Sequence, residues 1–336
     1  MSTLEEILVN KNESCKSIWF MRQAGRYLPE FRKIRSQNKN FINLCLNSNL
    51  SSEITLQPIK RFDLDSAIIF SDILLVPYAL GQEVNFIKNS GPILSEFEIK
   101  KFLDNNTVDF TKTLQPIYNA IKITRKKLNK EKSLISFIGA PWTLLIYMMG
   151  LKEGGKKINF SKIKKIGTEI DKIFNHLNDY LCLHIKNQID AGANVVQVFD
   201  SWAGLLSNTD LERFCYAPNR KIVDFCKKEN IPVICFPKGI KENYIKFNNV
   251  VKPNGINLDY DVDPAWAKEC LHNVTLQGGM DPKILLQSDQ DIFNEAKKYL
   301  DIFKDVPYIF NLGHGLIPET NPDKLNKLIN FIREYK

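Results

Sequence analysis

A chain of 336 residues, 44% hydrophobic and 25% charged, suits one large α/β barrel or two smaller domains and can bury its core without covalent staples. The formal net charge of +8 calls for an anionic partner: nucleic acid, an acidic membrane or a polyanionic small molecule. The seven cysteines (Cys15, Cys45, Cys182, Cys215, Cys226, Cys235 and Cys270) are odd in number and contain no C-x-x-C pair, which fits buried or free thiols in a reducing compartment better than a disulfide framework.

In chain order, Met1–Asn12 carries Glu5 and Glu6 and has no apolar centre, so it is not expected to be a signal peptide. The stretch Trp19–Glu30 (WFMRQAGRYLPE) follows. Arg22 and Arg26 are four apart, which predicts one face of a helical turn, and their guanidinium forks suit carboxylates. Between them Gln23, Ala24 and Gly25 would leave backbone accessible. A surface helix with a structural arginine pair fits these residues equally well. Short apolar runs then recur: Ser66–Ser71, Leu134–Ile138, Asn194–Phe199, Pro232–Phe236, Gly255–Leu258, Val274–Gln277 and Tyr308–Leu312. Each has the length and β-branched or aromatic content of a strand. Helical periodicity separates most of them, as over Ile170–Ala191, Val262–Leu271 and Ile292–Phe303. The basic segment Lys122–Lys132 predicts an exposed helix end, because it has no interleaved aromatic of the kind nucleic-acid sites use. The uncharged Ser133–Leu151 is long enough to span a bilayer, but Gly139-Ala140-Pro141 divides it into a strand and a helix start. No membrane association is expected.

Strand and helix alternation predicts a single (β/α)8 barrel of the TIM type over 1–336. The runs supply seven strands. The eighth is expected within Ile73–Lys132, which also holds a hairpin around Gly81–Gly91, and the arginine stretch is expected outside the strand series. A polar or glycine-rich cluster follows each strand: Ser71-Asp72, Gly139–Thr143 with Tyr147, Asp200-Ser201-Trp202, Lys238-Gly239, Asp259-Tyr260, Gly278–Asp281 and Gly313-His314-Gly315. In a parallel barrel these ends meet at one mouth. They bring a carboxylate, hydroxyls, an imidazole and a cation. Neither a zinc-type His/Cys spacing nor a phosphate-binding loop is present.

The stretch WFMRQAGRYLPE resembles the N-terminal signature of the uroporphyrinogen decarboxylases. So do DSAIIFSDILLVPYALG (Asp65–Gly81), GAPWTLLIYM (Gly139–Met148), QVFDSWAG (Gln197–Gly204), FPKG (Phe236–Gly239), NLDY (Asn257–Tyr260), LQGGMDP (Leu276–Pro282) and FNLGHGLIPET (Phe310–Thr320), in order along nearly the whole chain. The resemblance implies a (β/α)8 barrel that is a cytoplasmic homodimer with facing clefts. It implies a haem-biosynthesis enzyme that converts uroporphyrinogen III to coproporphyrinogen III and CO2 with no metal or organic cofactor. By motif position Arg22, Gln23, Ala24, Gly25 and Arg26 bind substrate carboxylates, Asp72 faces the pyrrole N–H groups, and Tyr147, Ser201 and His314 line the cleft. Asp72 and the two arginines are then the catalytic candidates.

Other readings stand beside these. Asp72 could cap a helix. Lys238 could bind substrate or cap a helix. Asp259 reads as a structural carboxylate, His176, His184 and His272 as structural or solvated, and Trp142, Trp202 and Trp266 as packing residues. The chain departs from the family pattern at Phe31, where Tyr is usual, at Pro237, and at Gly150–Gly155 (GLKEGG), where residues are inserted after Tyr147. One rival is a zinc-dependent methyltransferase of the same barrel superfamily, for which Cys182 and His184 are the close His/Cys pair. The other is a nucleic-acid or polyanion-binding protein using the positive charge.

Overall fold

All seven apolar runs form strands within a few residues of their expected bounds, and the eighth strand lies where none was expected. The structure is a computed structural model that describes residues 1–13, 17–87, 91–153 and 157–335. Cys15 and the last two residues of Gly150–Gly155 lie outside the described residues. The barrel strands are β1 (Ser17–Ile18), β2 (Ser66–Ile68), β3 (Ser133–Gly139), β4 (Val195–Asp200), β5 (Val233–Pro237), β6 (Gly255–Leu258), β7 (Thr275–Gly278) and β8 (Tyr308–Phe310). They form one eight-stranded sheet in the order β1-β8-β7-β6-β5-β4-β3-β2, with every pairing parallel. The seam between β1 and β2 is bridged at one point. Asp65 N–H donates to Ile18 O at 3.0 Å, and Ile18 N–H donates to Asp65 Oδ2 at 2.6 Å. This is a nearly closed (β/α)8 barrel.

The missing strand is thus Ser17–Ile18, which starts just ahead of the arginine stretch, and not a segment of Ile73–Lys132. Two residues are too few for periodicity to reveal, and the pairing partner, β8, is nearly 300 residues away in the chain. The region searched for it holds instead an antiparallel hairpin, Val84–Ile87 with Gly91–Leu94, outside the barrel sheet.

Helices cover the outside. Their apolar faces are the ones the 3.6-residue period marks: in Glu169–Asp190 these are Ile173, Phe174, Leu177, Leu181 and Ile185, all buried. Thr107–Lys127 ends in the basic segment, with Arg125, Lys126 and Lys127 in its last turn, where cations complement the helix dipole.

The strand starts are closed by a helix. Helix α1 (Thr3–Asn10) begins with a capping box between Ser2 and Glu5 and packs Leu4, Ile7 and Leu8 against Trp19, Ile68, Ile135, Val195, Ile234 and Ile309. Each polar tie it makes is to the beginning of a strand or the residue before one. Ser2 Oγ meets Ser133 Oγ at 2.5 Å, Thr275 Oγ1 donates to Ile7 O at 2.9 Å, and Lys11 Nζ donates to Asn254 O and Thr275 Oγ1. A layer of buried amides joins the inner wall. Gln277 Nε2 donates to Asn257 Oδ1 (2.7 Å) and Gln197 Oε1 (3.3 Å), and Trp19 Nε1 donates to Gln277 Oε1 (2.9 Å). These satisfied bonds let polar residues stand inside the barrel.

Candidate active site

The arginine stretch leaves the end of β1 and turns across the barrel mouth. It is not a helical turn. Arg22 has φ 61°, a left-handed conformation that costs roughly 1–3 kcal/mol for a residue with a Cβ. The reason is the way its neighbours' backbone groups are tied. Met21 N–H donates to Asn311 Oδ1 (3.1 Å), Leu316 N–H to Met21 O (2.9 Å), Phe20 N–H to Gln23 Oε1 (3.0 Å) and Gln23 N–H to Phe20 O (3.0 Å). Gln23 Nε2 then donates to Ser66 O (2.9 Å) in β2, and Tyr27 O–H to Gln23 O (2.8 Å). The helix begins only at Pro29. The stretch is therefore the loop after a barrel strand, inside the series, which corrects both expectations made for it.

This geometry divides the loop. Gln23 is fully buried with its N–H and side chain engaged, so it anchors. The N–H groups of Ala24 and Gly25 make no hydrogen bond among the described residues. Arg22 and Arg26 are exposed at the mouth. The stem of Arg22 runs over Gly315, where an added Cβ would lie 2.5 Å from Arg22 Cδ and 2.7 Å from Cγ. Only a residue without a side chain leaves that path open. Burial, and then the charge of Arg26, pull the Arg22 guanidinium below its ordinary range, against the opposing influence of Asp72 and Tyr147. The guanidinium still stays protonated at any working pH.

Asp72 sits beyond the end of β2, half-buried. Its Oδ1 accepts Leu74 N–H at 2.8 Å, a local turn bond and not a cap of the helix Leu75–Ala79, whose first flanking residue is Leu74. No described residue donates to Oδ2. Loss of water at the site raises the carboxyl to about 6, with Leu74 N–H and Arg22 holding it down against that rise. Tyr147 comes from the helix Pro141–Met148 after β3. Burial raises its phenol, Asp72 adds to the rise and Arg22 opposes it, which puts Arg22, Asp72 and Tyr147 within one field.

His314 follows β8. Gly315 N–H donates to its Nδ1 at 2.8 Å, which leaves the ring proton on Nε2. Burial, Lys238 and Arg22 lower the imidazole to about 4, so it is neutral at pH 7 and donates through Nε2. Lys238, after β5, stands 5.5 Å from the Tyr260 ring and is turned to the same space. Ser201 follows β4 and is half-buried. The side chains expected at one mouth thus come from the ends of β1, β2, β3, β4, β5 and β8.

Three groups are committed elsewhere. Asp259 accepts from Gly239 N–H, Asp261 N–H and Tyr244 O–H, a structural knot. Asp200 is buried and raised to about 6 by desolvation, but Thr143 Oγ1 (2.7 Å) and Asn219 Nδ2 (3.1 Å) both donate to it. His184 is buried against Tyr118 O–H at 3.0 Å. His176 packs edge-on against Phe102 and Tyr180, and His272 is exposed. Among the described residues no three His, Cys, Asp or Glu side chains gather as a metal ligand set, the Cys182 and His184 neighbourhood included. No described helix is long and apolar enough to cross a membrane.

Sequence reading missed the amides Gln197, Asn257, Gln277 and Asn311, which hold the floor and the loop. Their signal was present: each is an amide inside or directly after a run otherwise fit for a buried strand.

Known proteins fit this geometry. The family model for uroporphyrinogen decarboxylase (URO-D) matches residues 2–335. A uroporphyrinogen decarboxylase of Rickettsia bellii is 41% identical over 99% of both chains, and one of a Wolbachia from Drosophila simulans is 41% identical over 95% of this chain and 94% of its own. Among solved structures, a methyltransferase from Methanosarcina mazei superposes with a TM-score of 0.77 at 16% identity, covering 99% of this chain and 97% of its own, a likeness of fold.

Proposed function

This chain belongs to the uroporphyrinogen decarboxylase family, and from that premise we propose how its own residues carry out the reaction. It is a carboxy-lyase of haem biosynthesis. It takes uroporphyrinogen III, removes CO2 from the four acetate side chains, leaves methyls in their place and releases coproporphyrinogen III. It needs no metal or organic cofactor.

Loss of CO2 from a pyrrole acetate needs somewhere for the bonding electrons to go. Protonation of the ring carbon next to the one that bears the acetate makes the pyrrole that sink and gives it positive charge. CO2 leaves with its bonding electrons passing into the ring, and a proton added to the resulting methylene with loss of the ring proton restores the pyrrole with a methyl. Asp72 is the group that meets this charge. Its Oδ2 has no donor in the described structure and its desolvated carboxyl is raised to about 6, so pyrrole N–H groups supply the hydrogen bonds it lacks. The stabilisation grows as the ring becomes a cation, which makes it a transition-state effect. Arg22, over Gly315, and Arg26 hold substrate carboxylates with the free N–H groups of Ala24 and Gly25. Gln23 keeps this loop in place. Neutral His314 donates through Nε2, and Tyr147 and Ser201 line the wall. The +8 charge draws a substrate of eight carboxylates toward the mouth. The observation that carries the assignment is Asp72 beside Arg22 and Tyr147, with one oxygen unmet.

The reading extends to a single 1–336 domain working as a cytoplasmic homodimer with facing clefts. An anaerobic assay with uroporphyrinogen III, followed by chromatography of the eight-to-four carboxyl series, tests the chemistry. Conversion through the seven-, six- and five-carboxyl steps is expected, and no consumption of substrate would refute the reading. Sedimentation of the same sample at twice the monomer mass is the expected result for the dimer.

A further inference from the structure

The segment after Tyr147 brings a cation against the aromatic wall of the mouth. Lys152–Glu153 pairs antiparallel with Lys157–Ile158, Lys152 opposite Ile158. This short hairpin seats Lys152 Nζ 4.2 Å from the ring centroid of Trp202. Trp202 is held firmly. Its N–H donates to Thr143 Oγ1 at 3.2 Å, its C=O accepts Trp142 Nε1 at 3.1 Å, and Thr143 is tied to the buried Asp200. Its ring meets Tyr147 edge to face at 6.2 Å and 64°. Tyr147 shares its field with Asp72 and Arg22. A fixed aromatic pair therefore connects Lys152 to the centre of the mouth.

The position is complementary to the arginine loop. Arg22 and Arg26 leave β1, and Arg22 leans on the loop after β8, while Trp202 follows β4, four strands from β8 in the sheet order and across the ring from it. The ammonium of Lys152 is exposed, and a π face occupies one side of it, which leaves N–H donors pointing away. A macrocycle with carboxylates on its whole circumference meets the arginines on one side and needs a cation on the other. Its acetates are consumed ring by ring, whereas its four propionates persist through every round.

We propose that Lys152, seated on Trp202, is a substrate-binding residue that holds a propionate of the porphyrinogen on the lip opposite the arginine loop. This rests on the decarboxylase reading above. The test compares wild type, Lys152→Met and Lys152→Arg at low ionic strength with uroporphyrinogen III and a pentacarboxylate porphyrinogen as substrates. Loss of one charge-assisted hydrogen bond should raise KM about fivefold to tenfold in Lys152→Met, for both substrates alike, with kcat within about twofold of wild type. Lys152→Arg should restore KM, and Lys152→Met should weaken the salt dependence of KM. An unchanged KM in Lys152→Met overturns the proposal. So does an equal loss in Lys152→Met and Lys152→Arg, which would assign the effect to the hairpin and not to its charge. Failure of the wild type to turn over either substrate would instead overturn the decarboxylase reading.

Discussion

The two ends of this barrel are built from the same eight strands and differ in almost every physical respect. At the strand starts, Leu4, Ile7 and Leu8 of α1 lie on an apolar floor, and polar groups such as Ser2, Lys11 and Thr275 are paired. At the strand ends, Asp72 lacks a donor on one oxygen, Arg22 holds a left-handed backbone, and His314 is held neutral. One end is sealed by a helix of the chain itself, and the other is held open to a ligand. Asp72 and Asp200 show the contrast within a single residue type. Burial raises both to about 6, but Thr143 and Asn219 surround Asp200, whereas Asp72 faces the mouth. Elevated pKa alone does not separate a structural carboxylate from a functional one; the unmet oxygen does.

The sharpest way to break the contrast is to remove the charge at the needy end. Asp72→Asn should lose about 10²–10³ in kcat with its circular dichroism and cooperative unfolding intact. Near wild-type turnover would remove Asp72 from its role. The sealed end should answer in stability and not in rate. Leu8→Ala should lose about 2–4 kcal/mol in denaturant unfolding, as a buried leucine in a closed floor does, while kcat/KM of the folded enzyme stays within about twofold. A large kinetic defect there would show that the two ends are not independent. A finer test uses Gly315→Ala, whose Cβ displaces the stem of Arg22. KM should rise by about tenfold, in the direction of Arg22→Ala but short of it, and adding Arg22→Ala to Gly315→Ala should cost less than it does in wild type.

The smallest effect has a sign that can be worked out. Asp72 is raised in the folded protein to about 6 from an unfolded value near 4, so the folded state holds that proton more tightly. The stabilisation from this group is present below about pH 4 and is lost as pH rises through 6. Asp72→Asn should therefore be more stable than wild type at pH 8, by up to about 3 kcal/mol, with the difference vanishing below about pH 4. In wild type, kcat/KM should fall below pH 6 as the carboxylate protonates. An acid limb retained unchanged in the residual activity of Asp72→Asn would assign it to another group.

Much of this was legible before any coordinates. Seven strands declared themselves by length and β-branching, and the convergence of their ends followed from parallel connection. Asp72, Ser201 and His314 could be placed near a mouth because each closely follows a strand, whereas Tyr147, at the far end of the helix Pro141–Met148, was found through the family resemblance. What could not be read was non-local. Ser17–Ile18 is a strand because β8 lies beside it, and nothing within two residues announces that. Arg22 and Arg26 have helical spacing, yet hydrogen bonds to Asn311, Ser66 and Leu316 prevent a helix. The role of Gly315 depends on a side chain nearly three hundred residues earlier in the chain. Local pattern sees propensity; it does not see which distant partner will claim a backbone group.

The short strand β1 and the helix before it also set an order of events. Both come early in the chain, but α1 rests on the starts of β3, β6 and β7, and β1 pairs with β8 through Ser17 and Ile309. During synthesis Leu4, Ile7 and Leu8 must wait, exposed, until Thr275 and its neighbours have emerged. The ring can close only after Phe310 is free to meet Ile18. Closing the seam then joins segments nearly three hundred residues apart, with the loop-closure entropy of that separation to overcome. A ribosome stalled short of β8 would hold a barrel with an open seam and an uncovered apolar helix, the kind of intermediate that chaperones bind.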